Sequence, residues 1–505
     1  MWENSYSNEK VRLEGNMSDI GYSQVKSQLD LSAFDPLVPA RLASVTSVTP
    51  TQGALLIPAK VAPKDDRPLI HLLFALKHEG VNLQLLSQAL RKIPAQEMLA
   101  AISESPTGVY IRTACFLWEA FNKEELTGAP AITGPMVNLF DPKKYVTGPS
   151  IRNAKWRVNF NGLGCLDYCV TVERTVRINS LLESNILQKA NEFLSELGST
   201  ASDRAMSWAY LSETKSSFEI EHETPSANKA EAFVELLKKA HLTTQLNEEY
   251  LVGLQNTAIT NPLDREVHYR HEQNWLSSPL RGAAGVTYIP PPPKIVNDLM
   301  KGLVDFANTS PKQIDPLVAA AIISFGFVFI HPFMDGNGRL SRFLFHHALC
   351  QSGALKNGLL LPVSIAMKRN EDLYLSTLKS FSEPARKRWE VIWIDGDDYQ
   401  MTFKSDDSLY RYWNATACVE FGLEMAKQAL EKDLREETEY LAKYDLIYRA
   451  IDGGYDIRGK DLNTLILACM EQNGKLSANR RKKFASTVRE EIFDAIEAEY
   501  MKVVG

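Results

Sequence analysis

The chain has 505 residues, of which 45% are hydrophobic and 23% charged, the balance of a folded protein with two or three domains. Its formal net charge of −6 argues against a general nucleic-acid binder. The six cysteines are scattered and lack the spacing of a zinc site. The first twenty residues are polar and lack the apolar core of a secretory signal, and the apolar run 317–330 is too short to cross a bilayer. We therefore expect a cytoplasmic protein outside the membrane.

Residues 1–200 predict a mixed α/β accessory domain, and their sequence does not reveal its chemistry. Turn-forming residues punctuate the opening, and alternating patterns later give way to helical ones. The predicted elements are a strand at 54–57, helices at 71–77, 83–92 and 113–121, a hairpin within 157–178 and a helix over 180–197.

The segment 203–223 predicts an amphipathic helix that Pro225 ends, and taken alone its Glu221 would be an ordinary surface acid. Two short β-prone pieces further on, near Trp275 and at 286–289, flank a flexible connection and predict a hairpin. Other helices are predicted over 226–240, 248–257 and 294–308.

The most informative stretch is 331–342, with the sequence HPFMDGNGRLSR. Asp315 and Pro316 form an N-cap and first turn for a buried helix over 317–330. Gly336 and Gly338 then permit a tight turn, and a second helix follows until Gly353. The turn therefore opens a helix, whose unpaired N–H groups and partial positive charge can hold an anion.

The charged residues of this turn fit a nucleoside triphosphate. Arg339 and Arg342 lie three residues apart, so their positive charges repel each other, and both stand at the helix start, where the dipole disfavours cations. A bound polyphosphate would remove both unfavourable interactions. Asp335 would repel that phosphate unless Mg²⁺ lay between them, and His331 can accept a proton near neutral pH. The alternative is a plain connection between helices, with a capped histidine and two solvated arginines.

Beyond this region, strands at 390–394 and 399–403 are predicted to form a hairpin around 395–398, and the remainder is mostly helical, with a long helix over 417–443. The domains are accordingly 1–200, 201–430 and a helical extension 431–505. The basic run 480–483 leaves open a regulator that binds nucleic acid through its C-terminal region, although a solvated helix face also explains it.

The motif HPFMDGNGRLSR resembles the signature of the Fic family, HxFx[DE]GNGRxxR, and every fixed position is matched. The resemblance implies a mainly α fold, a Fic-type helical core with a β-hairpin flap, and transfer of AMP from ATP to a hydroxyl of a target protein. Doc-like kinases of the wider superfamily carry lysine at the position of Gly338, which disfavours phosphoryl transfer. The implied roles are general base for His331, Mg²⁺ ligand for Asp335 with Mn²⁺ as an alternative, anion cradle for Gly336, Asn337 and Gly338, and phosphate clamps for Arg339 and Arg342.

The same resemblance gives the helix at 203–223 a second interpretation. Fic proteins often carry an inhibitory pattern, [ST]xxxE[GN], and Ser217 and Glu221 match it, whereas His222 stands where Gly or Asn is usual. We expect Glu221 to pair with Arg342 and so to compete with the γ-phosphate of ATP.

The flap residues expected to dock the target are Trp275, Val286 and Tyr288, with main-chain pairing supplying the affinity. Expected partners are ATP and a protein modified on Ser, Thr or Tyr, including the chain itself, with a homo-oligomer as an option. Removal of AMP by the same site and a catalytically idle scaffold are the alternatives, although a relic has no physical reason to keep all four charged residues of the motif.

Overall fold

The computed structural model describes residues 18–197, 199–242, 244–259, 261–280, 282–356, 358–396 and 398–504, with only the backbone described at 199, 200 and 262. The fold is mainly α-helical, as predicted, and the described residues form five small sheets. Asp397, in the predicted 395–398 turn, lies outside the described residues.

The N-terminal part combines helices with short strands, as the sequence predicts, but two of its five helices, Tyr22–Gln28 and Ala95–Glu104, were not predicted. One sheet has the order β1-β3-β2 and another the order β4-β6-β5, and β7 pairs with β8 in a hairpin. The elements are α1 (Tyr22–Gln28), β1 (Ala40–Leu42), β2 (Thr49–Pro50), β3 (Leu55–Ile57), α2 (Pro68–His78), α3 (Leu83–Lys92), α4 (Ala95–Glu104), α5 (Val109–Asn122), β4 (Val137–Asn138), β5 (Ile151–Asn153), β6 (Val158–Phe160), β7 (Leu163–Cys165) and β8 (Tyr168–Val170).

The central part is a helical layer packing with two β-hairpins. Its elements are α6 (Val176–Glu183), α7 (Ile186–Glu196), α8 (Ser199–Ile220), α9 (Ala227–Lys239), α10 (Glu248–Ala258), β9 (Leu276–Ser277), β10 (Val286–Tyr288), α11 (Pro293–Thr309), α12 (Pro316–Ile330), α13 (Asn337–Gln351), α14 (Val363–Arg369), α15 (Glu371–Arg386), β11 (Trp389–Asp395), β12 (Asp398–Phe403), α16 (Ser408–Arg411) and α17 (Thr416–Gln428).

The C-terminal part is helical and has a core of its own, which includes Ile447, Leu465 and Phe493. The single helix predicted over 417–443 is wrong in detail, because a π-helical segment at Ala429–Leu434 interrupts it. The helices are α18 (Arg435–Asp452), α19 (Gly459–Glu471), α20 (Ala478–Phe484) and α21 (Glu490–Val504).

The buried side chains fall into separate cores that do not follow the predicted boundary at residue 200. One core joins α1–α5 to the strands that follow them. The largest core runs from the β7–β8 hairpin to Leu434 and already includes α6 and α7, which the sequence assigned to the accessory domain. These two helices therefore support the central part, on which the charged motif lies.

The helix pair α12 and α13 forms the centre of this core. The N-cap of α12 is confirmed, because the Asp315 side chain accepts hydrogen bonds from the N–H groups of Leu317 (2.9 Å) and Val318 (3.1 Å). Nearly every side chain of α12 and most of those of α13 are buried. Burial on all sides explains the unbroken apolar run of α12 and holds both ends of the intervening turn in place.

Of the four basic residues in the run 480–483, Arg481 is neutralised within its own helical unit. Arg481 donates to the carboxylates of Glu490 (2.7 Å), Asp494 (2.8 Å) and Glu497 (2.7 Å). No specific contact here favours nucleic-acid binding. Among the described residues, no helix combines the length and apolarity needed to cross a bilayer.

Candidate active site

The turn between α12 and α13 depends on two residues with left-handed backbone conformation. His331 ends α12 with φ of 52°, and Gly336 precedes α13 with φ of 85°. A non-glycine residue in this conformation is uncommon and costs free energy, which is typical of functional positions. The change of direction at the end of α12 begins at His331, one residue before Pro332.

The remaining turn residues hold the loop from inside. The Phe333 ring is fully buried and packs against Tyr269 and Phe327, and it thereby anchors the loop in the core. The Asn337 side chain accepts from the N–H of Phe333 (3.1 Å) and donates to its carbonyl (2.8 Å). Asn337 therefore fixes the turn with its side chain, and the predicted anion contact would have to come from its backbone.

The imidazole of His331 is half-buried and held in one orientation. Its Nδ1 lies 3.1 Å from the carbonyl oxygen of Val328, and because a carbonyl can only accept, Nδ1 carries the proton and Nε2 keeps its lone pair. Burial lowers the pKa of His331 to about 4, and the neighbouring Arg270 acts in the same direction. The ring is therefore neutral at physiological pH, which is the form a general base requires.

Arg270 braces the backbone of the turn. Its side chain donates to the carbonyls of His331 (2.8 Å), Glu272 (3.0 Å) and Pro291 (2.6 Å), and its own N–H donates to Pro332 (2.7 Å). The side chain is almost fully buried. This single guanidinium therefore ties the turn between α12 and α13 to the segments on both sides of the flap.

Arg342 is buried in α13 and faces the C-terminal end of α8. Its Nε donates to Oγ of Ser217 (2.8 Å), and its Nη2 donates to the Ser217 carbonyl (2.7 Å) and to Oε1 of Glu221 (2.8 Å). Burial disfavours the charged form of Glu221, but the positive charge of Arg342 outweighs it, and the pKa of Glu221 lies below its usual value. The predicted pairing of Glu221 with Arg342 is thus present in the structure as a charged pair.

Arg339, one helical turn away, is held by two carboxylates. Its Nη1 donates to Glu223 (3.0 Å) and to the carbonyl of Ala258 (3.1 Å), and its Nη2 lies 3.2 Å from Oδ2 of Asp335. The Arg339 side chain is 2% exposed. The two predicted phosphate clamps are therefore close together and both are occupied by carboxylates of the same chain.

The helix α8 is followed by a left-handed residue, His222, at the position where the pattern [ST]xxxE[GN] has Gly or Asn. His222 has φ of 58°, the left-handed conformation that Gly or Asn adopts most readily at this position. The N–H of Glu223 bonds to the carbonyl of Phe218 (3.0 Å) and that of His222 to Glu219 (3.0 Å), closing the helix end. A histidine can thus take the place of the usual residue at some conformational cost.

Asp335 has the chemistry of a ligand for a hard cation. Its side chain is 43% exposed at the mouth of the turn, and its backbone carbonyl accepts from Gln255 (3.2 Å). One carboxylate completed by phosphate oxygens and water is the donor set that Mg²⁺ usually takes from nucleotide sites. No cluster of three metal-ligating side chains occurs in the described part of the chain, so a metal here would depend on the nucleotide.

Two of the three flap residues, Val286 and Tyr288, lie in positions different from those expected of residues that contact a target. Val286 and Tyr288 are buried, and the Tyr288 hydroxyl donates to the carbonyl of Phe329 in α12. Trp275 packs edge-on against Tyr399 of the β11–β12 hairpin, with ring centroids 5.3 Å apart. The prediction that Val286 and Tyr288 dock a target through their side chains needs correction, because β-strand alternation turns both side chains inward, where they support the flap. Trp275 is partly exposed, and its role in docking a target stays a prediction.

Sequence reasoning missed Arg270 and Glu223. Arg270 stands in a segment without periodicity, and its role depends on carbonyls sixty residues away that no local pattern indicates. Glu223 did have a signal: it follows a left-handed residue at a helix end, where the chain turns back over the helix.

Comparison with known proteins gives a family match that covers the turn. Residues 245–349 match the family model described as Fic/DOC family. A protein of Aquifex aeolicus named "Probable protein adenylyltransferase" is 37% identical over 101 residues, 20% of this chain and 28% of that protein. Protein adenylyltransferase fic-1 of Caenorhabditis elegans is 35% identical over 92 residues, 18% of each.

The matches are confined to one region. The chain spans less than a third of the length of either relative, and α8 lies outside the matched residues 245–349. A crystal structure of a Fic family protein from Desulfovibrio desulfuricans aligns at 18% identity with a TM-score of 0.38, over 61% of this chain and 90% of that one. With the complete motif at 331–342, the family match establishes that this chain contains a Fic/DOC domain.

Proposed function

We propose that the protein is an adenylyltransferase that transfers AMP from ATP to a hydroxyl group of a target protein. The observation that carries the proposal is a neutral imidazole, His331, at one end of a turn whose other end presents two buried arginines at a helix start. A base and an anion site on the same turn fit nucleotidyl transfer, and the relatives named protein adenylyltransferase support the choice of reaction.

In this reaction Nε2 of His331 takes the proton of the attacking hydroxyl as its oxygen forms a bond to the α-phosphorus. The bond between the α-phosphorus and the bridging oxygen breaks, and pyrophosphate leaves. Arg339 and Arg342 would bind the phosphate oxygens, with backbone N–H groups of Gly336, Asn337 and Gly338. Mg²⁺ held by Asp335 would neutralise the charge that develops on the leaving group.

We propose in addition that Glu221 inhibits this activity. Its carboxylate holds Arg342 and lies over the first turn of α13, where a phosphate would bind. Two anions cannot share this position, so ATP has to displace Glu221 or bind in another pose. Pairing with the buried Arg342 makes this carboxylate a strong competitor.

The target would pair with the flap through its main chain. In the described part of the chain, β9 is hydrogen-bonded to β10 alone, so its outer edge can accept another strand. The flap is joined to the β11–β12 hairpin, because the side chain of Arg386 donates to the carbonyls of Val286 (2.8 Å), Ala283 (3.1 Å) and Trp389 (3.0 Å).

The test is to incubate the Glu221→Gly protein with ATP labelled on either the α- or the γ-phosphate, in the presence of Mg²⁺. We expect protein-bound label from the α-phosphate only, more than in the wild type, and none when His331→Ala is added. Label from the γ-phosphate, or no label in either form, would contradict the proposal. Loss of label after ATP is removed would reveal the reverse reaction.

A further inference from the structure

A second carboxylate from the end of α8 reaches the phosphate clamps. Oε2 of Glu223 lies 3.0 Å from Nη1 of Arg339, and the two side chains are 32% and 2% exposed. Arg339 also lies over the ring of Phe218, with its guanidinium carbon 5.3 Å from the ring centroid. Arg339, the first arginine of the motif, is therefore held by the carboxylate of Glu223 and by the aromatic face of Phe218.

The helix end produces this contact directly. The left-handed turn at His222 reverses the chain, and the N–H of Glu223 bonds to the carbonyl of Phe218. Glu221 and Glu223 are thereby directed to different arginines of α13, Arg342 and Arg339 respectively. We call Glu221 and Glu223 together the α8 carboxylates.

We infer that Glu223 is a second inhibitory residue, which withholds Arg339 from the triphosphate while Glu221 withholds Arg342. The inference rests on the proposed function and concerns the regulation of the same site. Glu221 alone would oppose phosphate binding at Arg342 but not at Arg339, so that ATP could bind in a partial pose. With both carboxylates in place, each clamp must exchange one anion for another before it can bind phosphate.

The position of Asp335 strengthens this reasoning. Arg339 is shared between Glu223 and Asp335, the proposed metal ligand. A bound triphosphate adds negative charge around the same guanidinium, which raises the repulsion on Glu223. Nucleotide binding and the Glu223 contact therefore oppose each other, and by reciprocity removal of the Glu223 charge must favour nucleotide binding.

A matched control lies on the same helix. Glu219 is a comparably exposed glutamate of α8, but it pairs with Lys215 and Lys368 and not with the motif arginines. Glu219→Gln removes one negative charge from the last turn of α8, and Glu223→Gln removes the same charge three residues beyond the end of that helix. A general loss of α8 stability would affect both variants, whereas competition for Arg339 concerns Glu223 alone.

The experiment measures ATP binding by isothermal titration calorimetry in the wild type, Glu223→Gln, Glu219→Gln, Glu221→Gly and the Glu221→Gly/Glu223→Gln double variant. Because charge-assisted pairs of partly exposed groups shift an equilibrium by about tenfold, we expect Glu223→Gln to tighten ATP binding about tenfold. Glu219→Gln should match the wild type, and the double variant should bind more tightly than Glu221→Gly. Circular dichroism and thermal unfolding establish that each variant is folded.

Two failures can be told apart. If Glu221→Gly binds ATP more tightly than the wild type but Glu223→Gln behaves like Glu219→Gln, the inference is wrong and the proposed function stands. If Glu221→Gly binds no ATP at all, the proposed function is wrong and the inference fails with it. Should Glu223→Gln unfold, Glu223→Asp replaces it, since the shorter side chain keeps the charge but withdraws it from Arg339.

Discussion

The carboxylate of Glu221 fills the space next to Gly338: a Cβ atom placed on Gly338 would lie 2.0 Å from Oε1 of Glu221. Gly338 is in the first turn of α13 and has no left-handed backbone conformation that would require glycine. The residue is therefore needed for space, and what occupies that space here is an anion. A phosphate oxygen would occupy the same place against the helix start.

Gly338→Ala should destabilise the wild-type protein by about 1–3 kcal/mol, because the methyl group overpacks against Glu221. In the Glu221→Gly background the same change should be neutral or stabilising by up to about 1 kcal/mol, since alanine favours helix more than glycine does. Denaturant unfolding of the four proteins in a double-mutant cycle measures the coupling. Equal effects of Gly338→Ala in both backgrounds would show that Glu221 does not rest against this residue.

His222→Gly should stabilise the end of α8 by up to about 1 kcal/mol, because glycine adopts the left-handed conformation without a Cβ penalty. His222→Val should destabilise it, since a β-branched residue tolerates this conformation poorly. Unfolding midpoints give the stability, and automodification should change in the opposite direction, lower for Gly and higher for Val. The account of the helix end would be wrong if Val were tolerated as well as His.

The pH dependence of the Glu221→Gly protein should reflect a base whose pKa is about 4. The negative charge of Glu221 raises the pKa of His331, so its removal should lower that pKa further. A depressed histidine pKa keeps the base neutral as the pH falls through 6.5, and kcat/KM should stay level until the pH approaches the lowered value. A decrease in kcat/KM centred near pH 6.5 would indicate that His331 titrates as an exposed, ordinary histidine. Measurements at saturating Mg²⁺, with His331→Ala as the inactive reference, make this comparison.

Arg270→Lys should reduce transfer without weakening ATP binding. A lysine cannot span the three carbonyls that the guanidinium joins, so His331 loses its support, while Arg339 and Arg342 are untouched. A displaced catalytic group costs about a hundredfold in rate, and we expect kcat to fall by about that factor in the Glu221→Gly background. Calorimetry should give an unchanged Kd for ATP.

The exposed Arg265 offers a matched control, because Arg265→Lys makes the same chemical change outside the network that braces the turn. Its kcat and Kd should both equal those of the Glu221→Gly parent. If Arg270→Lys weakened ATP binding as much as it slowed transfer, Arg270 would have to act on the whole site, and the separation of base and clamp argued here would not hold.

The sequence predicted those parts of the site that depend on neighbours along the chain. The cap at Asp315, the buried helix after it and the tight turn at Gly336 follow from local rules, and the structure has all three. The contact between Glu221 and Arg342 spans more than a hundred residues, and it was predicted through a family resemblance and not from periodicity.

Other features depend on packing that no local pattern encodes. Arg270 can support the turn between α12 and α13 only because the flap, which is distant in the sequence, lies next to that turn in the fold. The inward orientation of Val286 and Tyr288 was missed because a short strand gives no indication of which face the rest of the protein covers. The π-helical segment after α17 was also missed, because the amphipathic pattern of the sequence continues through it without a break.

The central claim is that the α8 carboxylates stand in for phosphates on Arg339 and Arg342. A crystal structure of the Glu221→Gly protein with ATP and Mg²⁺ tests it most directly. The account predicts a triphosphate over the first turn of α13, both guanidinium groups on its oxygens, the metal at Asp335 and the α-phosphorus facing Nε2 of His331. A nucleotide bound elsewhere, with the turn empty at saturating ATP, would contradict it.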